Sequence, residues 1–139
     1  METIVPAETT MEISTEDDIV AARQQARLMA RALEFGMVDQ SRIATAVSEL
    51  TRNVLRYATN STGRIVIREK HNGDVVGIEI IVADDGPGIA NMDEVLREGY
   101  SSGGGMGMGL PGTRRLMDEM NIDSAVGRGT TVTIRKWHR

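Results

Sequence analysis

The chain has 139 residues, a length that fits one domain with a real core. Its formal net charge is -4 with acids and bases interspersed, and aromatics are 3%, so nothing points to a nucleic-acid surface or a base-stacking platform. Cysteine is absent, which excludes disulfides, thiol nucleophiles and thiolate zinc sites; His71 and His138 are the only histidines and lie far apart, which argues against a metal cluster or a histidine-based triad.

The first residues show no basic region followed by an apolar run, so no signal peptide is expected. No stretch is apolar for long enough to span a bilayer, and a cytoplasmic protein is the expectation. Residues 11–14 read as an edge strand. Thr15 reads as an N-cap, followed by Glu16, Asp17 and Asp18 in a first turn where acids suit the helix dipole. Apolar residues at helical spacing (Ile19, Ala22, Ala26, Met29, Ala30, Leu33) predict a helix over 19–35, ended by Gly36. Its polar side carries Arg23, Gln24, Arg27 and Arg31, either a solvated face or a small basic patch for an acidic partner.

A second helix is predicted from 39 or 41 to 58, with Ile43, Val47, Leu50 and Val54 as its buried stripe. Glu49 and Asn53 are four apart and stack at the margin of that stripe. They either line the rim of a pocket or form nothing more than a surface Glu49–Arg52 pair beside a tolerated amide. Residues 60–63 read as a loop, 64–69 as a strand, 72–74 as a hairpin turn and 76–83 as the returning strand. On that last strand Val76, Ile78, Ile80 and Val82 share one face, and Asp84 has the same parity.

A carboxylate facing the covered side of a sheet is costly unless it meets a donor, such as the amino group of an adenine. Asp84-Asp85-Gly86-Pro87-Gly88 is equally a sequence that makes ordinary turns. The second glycine cluster, residues 103–109, favours the nucleotide reading, because glycines let main-chain N–H groups approach phosphates. Residues 92–98 read as a short helix, and 99–109 as a loop that is mobile without ligand. Pro111 fits the first turn of a helix ending near Met120, whose N-terminus would face the glycine loop as an anion site. Two strands follow, 121–126 and 130–137, joined by Gly127-Arg128-Gly129. The fold class expected is an α+β two-layer sandwich, a mostly antiparallel or mixed sheet with helices on one face. The other face, with Glu79, Thr131, Thr133 and Arg135, is expected to be solvated or used for association.

Four segments together carry a family resemblance. Glu49-Leu50-Thr51-Arg52-Asn53 resembles the N-box helix of the GHKL ATPase superfamily, and Asp84-Asp85-Gly86-Pro87-Gly88 resembles its first glycine box. Gly105-Met106-Gly107-Met108-Gly109-Leu110 resembles the second box and Gly127-Arg128-Gly129-Thr130 the third, in the same order. The resemblance covers nearly the whole chain, and residues 1–139 are read as a single ATPase domain of the Bergerat-type fold. Within the superfamily the chain is most similar to the small anti-sigma-factor-type serine/threonine kinases, in their stressosome-switch branch. Asp18-Ile19-Val20-Ala21-Ala22-Arg23-Gln24, Gly109-Leu110-Pro111-Gly112, Arg115-Leu116-Met117-Asp118-Glu119 and Lys136-Trp137 carry that closer likeness.

The resemblance implies a cytoplasmic, ATP- and Mg2+-dependent kinase. Its implied substrates are STAS-domain antagonist or scaffold proteins, and its implied second partner is a metal-dependent serine phosphatase that it activates once released. It implies no nucleic-acid or membrane partner. By position, Asp84 contacts the adenine amino group with Thr130 assisting through water. Asn53 holds magnesium, and Glu49 orients or deprotonates the incoming hydroxyl. Gly86 and Gly88 belong to the first box; Gly105, Gly107, Gly109 and Leu110 belong to the phosphate lid. Some relatives carry an arginine just before the second box, where this chain has Gly105; Arg114, Arg115 or a partner residue stands as the replacement cation. An ATP-gated binding switch with little kinase activity is the alternative. A histidine-kinase catalytic module is disfavoured by the lack of a dimerisation helix with a phospho-acceptor histidine.

Overall fold

Alternating isoleucines and valines make the sheet, and helical stripes of small and aliphatic residues cover it. The computed structural model describes residues 6–57, 62–86 and 109–138. Strands β1 (Glu8–Ile13), β2 (Gly63–Asn72), β3 (Val75–Asp84), β4 (Glu119–Ala125) and β5 (Gly129–His138) form one sheet in the order β1-β2-β3-β5-β4. Each neighbouring pair is antiparallel, so the sheet has no parallel member among the described residues. Helices α1 (Glu16–Ala32), α2 (Met37–Tyr57) and α3 (Gly109–Leu116) supply the second layer. This is the α+β sandwich expected from the sequence.

The core lies between the layers. Ile13, Ile65, Ile67, Ile78, Ile80, Val82, Val132 and Ile134 enter it from the strands. Ala22, Ala26 and Met29 of α1, Ile43, Val47, Leu50 and Val54 of α2, and Leu110 of α3 meet them. Truncating one of the fully buried isoleucines to alanine costs about 2–5 kcal/mol in such a setting. The alanines at 22 and 26 let α1 lie close to its neighbours.

Thr15 caps α1 as expected: its Oγ1 accepts from the Asp18 N–H at 3.3 Å, and Asp18 Oδ2 accepts in return from the Thr15 N–H at 3.0 Å. The end of α1 differs from expectation. The helix stops at Ala32, and Glu34 takes the left-handed conformation at φ 70, not Gly36. Its N–H reaches the Arg31 carbonyl while the Phe35 N–H reaches Ala30, and Phe35 is buried, which makes a Schellman cap with a glutamate in the glycine position.

Other boundaries move too. Gly63 opens β2 opposite Asp84 and is not in a loop, and β1 begins at Glu8. The last helix ends at Leu116, and Met120 lies in β4 opposite Ile134. Lys136 explains that early stop: its buried ammonium donates to the Leu116 carbonyl at 2.9 Å and lies 3.7 Å from Asp39 of α2. The expected helix over 92–98 lies outside the described residues.

The helix-free face also departs from expectation. Glu79 is not solvated; it is 1% exposed and bonded by Arg68 and Arg135 from the two flanking strands. Arg68 also pairs with Glu8 at 3.5 Å, and Arg135 with Glu119 at 3.3 Å. The register places Glu8, Arg68, Glu79, Arg135 and Glu119 in one row across all five strands, alternating in sign at every step.

Two stability predictions follow from these contacts. Glu34→Gly should stabilise the protein by about 1 kcal/mol by removing the steric cost of a Cβ in the left-handed region, read from urea melts. Burial works to raise the Glu79 pKa, but the bonds from Arg135 and Arg68 outweigh it and hold the carboxyl below its usual 4.5. The stabilisation is therefore present above pH 4.5 and is lost as pH falls through the lower folded value. Glu79→Gln should melt several degrees below wild type at neutral pH, with the gap narrowing in acid; equal melting at neutral pH would show the row to be energetically idle.

Candidate nucleotide site

The end of β3 is the focus. Asp84 is its last residue and pairs in register with Gly63 on one side and Thr130 on the other. Both neighbours approach closely. A Cβ on Gly63 would lie 2.8 Å from Val54 Cγ1 of α2 and 3.3 Å from the Asp84 Cβ. A Cβ on Gly129, whose φ is 84, would overlap the Asp84 carbonyl and come within 2.8 Å of the Asp85 Cα. Only glycine allows the third box to pass this close to the first.

The Asp84 carboxylate is held in place. Oδ1 accepts from the Gly86 N–H at 2.8 Å, which folds the first glycine box back as an Asx-type turn. Burial pushes the carboxyl above its ordinary 3.8; N–H groups of Gly86 and Thr130 work against the shift, and the Asp85 charge works with it. Gly86 itself is buried. The Thr130 hydroxyl lies 2.8 Å from the Ser124 hydroxyl, and Ser124 also donates to the Gly129 carbonyl at 3.1 Å. The floor of the site is thus a carboxylate and a threonine on adjacent strands, tied together by backbone.

Helix α2 borders this floor through Val54, and Asn53 precedes Val54 on the rim, half-buried. Glu49 lies one turn earlier, with its side chain 13% exposed and Oε1 accepting from Arg52 Nη1 at 3.3 Å. Both readings of this flank therefore have a physical counterpart: the rim position and the Glu49–Arg52 pair. Leu110 is in the same core cluster as Leu50, Val54 and Val82, so α3 starts beside α2. Gly109 is its first residue and Pro111 its third, and Arg114 and Arg115 are exposed on its last turn. Gly88, Gly105 and Gly107 lie outside the described residues.

Gly63 and Ser124 belong to the site and are not prominent in the sequence. Gly63 reads as part of a loop because the close approach comes from strands and a helix distant in sequence. Ser124 has the parity of Ile122, so a serine there marks a place where the core side turns polar. Among the described residues no group of three or more His, Cys, Asp or Glu side chains could hold a metal.

A close-packed glycine seam, a half-buried carboxylate between its strands and a helix N-terminus fit a nucleotide-binding ATPase domain. Residues 38–138 match the family of histidine kinase-, DNA gyrase B- and HSP90-like ATPases, and the chain belongs to that family. It is 49% identical over 127 residues to the serine/threonine-protein kinase RsbT of Bacillus subtilis (strain 168), covering 91% of this chain and 94% of that protein. It is 33% identical over 109 residues to the anti-sigma F factor of Priestia megaterium, covering 75% of this chain and 74% of that one. These identities put it in the serine/threonine-protein kinase branch of the family. A structure of RsbU and RsbW domains from Mycobacterium tuberculosis superposes with a TM-score of 0.62 at 20% identity, over 94% of this chain and 33% of that chain. The mycobacterial sensor histidine kinase MprB gives 0.58 at 18% identity, over 95% of this chain and 98% of that chain. Both likenesses show the fold. Among the described residues no helix is long and apolar enough to cross a membrane.

The raised Asp84 pKa has a stability consequence. Keeping the carboxyl ionised at neutral pH costs folding energy, and that cost vanishes as pH falls through the raised folded value toward 3.8. Without nucleotide, Asp84→Asn should melt at or above wild type at neutral pH, with any gap closing in acid. A variant that melts well below wild type at neutral pH would mean the carboxylate is a structural anchor.

Proposed function

We propose that the protein transfers the γ-phosphoryl group of ATP to serine or threonine on STAS-domain antagonist or scaffold proteins of a stressosome-type complex. Once released, it binds and activates a metal-dependent serine phosphatase in a cytoplasmic partner-switching stress pathway. The whole chain, residues 1–139, acts as the single ATPase domain. The observation that supports this most is the half-buried Asp84 carboxylate pinned between Gly63 and Gly129, in a chain half identical to a named serine/threonine kinase.

Asp84 accepts a hydrogen bond from the adenine amino group, and Thr130 assists through water. Asn53 donates its amide oxygen to Mg2+, which neutralises phosphate charge when bound. Gly86 and Gly88 shape the base side; Gly105, Gly107, Gly109 and Leu110 form the lid, with the α3 N-terminus behind it. Glu49 takes the proton of the substrate hydroxyl as its oxygen bonds to the γ-phosphorus and ADP leaves. Arg52 holds one oxygen of the Glu49 carboxylate in the free protein, at 3.3 Å.

The same pair favours a second reading, an ATP-gated binding switch, because an oxygen of the base is already engaged. One experiment separates them. In single turnover with γ-labelled ATP and a STAS-domain protein, Glu49→Gln should transfer phosphate about 10²–10⁴-fold more slowly while keeping its ATP affinity. Full transfer by Glu49→Gln would remove the base assignment. No transfer by wild type, with ATP still changing partner affinity, would establish the switch. Asp84→Asn should lose ATP affinity by about tenfold or more in calorimetry, since it can present a donor to a donor.

A further inference from the structure

A second surface lies at the other end of α2. Met37, Val38, Ser41, Arg42, Thr45 and Leu116 line an open groove of about 400 Å³, within the size range of ligand sites. The groove follows α2 from Met37 to Thr45; Thr45 lies about 6 Å along the helix before Glu49 and about 12 Å before Asn53, at 1.5 Å per residue, so the groove approaches the nucleotide flank from the far end of α2.

Its lining is unusual for a surface. Met37 is 75% exposed and Val38 65%, on the first turn of a helix whose other aliphatics are buried or, at Leu55, partly buried. Adjacent exposed apolar side chains with a cavity beside them mark a contact site more often than bare solvent. Methionine adapts to irregular partners.

The charges around it have one predominant sign. Arg27 of α1 reaches Ser41 on the groove wall at 3.4 Å, and Arg23 and Arg31, also exposed, lie one turn to either side of it. Arg42 is on the wall itself. Asp39 is the acid there; it bonds Arg42 at 3.0 Å and is approached by Lys136 at 3.7 Å, so its charge is already shared between two cations. The chain as a whole is at -4, which makes this a local basic patch on an acidic protein.

We propose that this groove docks an acidic amphipathic helix of a partner protein, with apolar anchors entering between Met37, Val38, Thr45 and Leu116 and carboxylates facing Arg27 and Arg42. The apolar lining and the surrounding arginines together match helix-in-groove recognition. Nucleic acid is the poorer match, because the floor is apolar and carries no aromatic for stacking. The proposal does not depend on phosphotransfer.

The probe is a fluorescein-labelled synthetic helix with leucines on one side and glutamates on the other, compared with the same peptide carrying lysine for glutamate. Anisotropy titration should show binding of the acidic peptide only, weakening as salt rises. Amide shifts in labelled protein should concentrate at residues 37–45 and 116. Arg42→Glu and Val38→Asp should each weaken binding by about tenfold or more while ATP affinity stays at wild type. Both positions are exposed, so the variants should fold, and their melts check this. Equal binding of the lysine peptide, shifts centred elsewhere, or unchanged affinity in both variants overturns the proposal. So does sedimentation showing that the groove is covered by a second copy of the chain.

Discussion

The geometry of this protein depends on how closely three backbone segments meet at the end of β3. Gly63 and Gly129 flank Asp84, and neither has room for a Cβ. Because the strands cannot be pushed apart there, the carboxylate is fixed in position before any ligand arrives. Preorganisation of this kind removes ordering cost from the binding step. Its burden is a half-buried charge in the free protein, offset in part by the N–H groups of Gly86 and Thr130.

Helix α3 runs between the candidate nucleotide site and the groove at the start of α2. Its N-terminus begins with the last glycine of the second box, and its C-terminal residue lines the groove at the start of α2. Lys136 ties that C-terminal end to β5 and draws Asp39 toward it. One end of this helix is thus fixed by a buried ammonium, and the other begins at the last glycine of the second box.

The sequence made the layers legible because periodicity is local. The stripe Ile43, Val47, Leu50, Val54 and the alternation Ile78, Ile80, Val82 are buried as their spacing implies. Asp84 was legible through parity with that strand, and Thr130 through the third glycine box. Non-local effects were not. Parity put Glu79 on the helix-free face, but its burial depends on arginines from β2 and β5, which only the register brings beside it. The left-handed residue after α1 looked like Gly36 because glycine is favoured there; burying Phe35 fixed the cap two residues earlier and left Glu34 in the strained position. Gly63 was hidden for the same reason as Glu79, since the atoms that crowd it come from two other elements, β3 and α2. For Glu49, spacing placed the side chain on the flank but did not choose between a base and a partner for Arg52.

The alternating row across the sheet has a consequence at its ends. Both edge strands finish it with an acid, Glu8 on β1 and Glu119 on β4, and the row four residues along ends in Glu12 and Asp123. An open sheet invites pairing with the unsatisfied edge of another molecule. Here a meeting in the aligned register, edge to like edge or edge to opposite edge, sets carboxylate against carboxylate. The pattern that locks the strands inside one molecule thus also opposes its extension into another, as charged side chains on edge strands do.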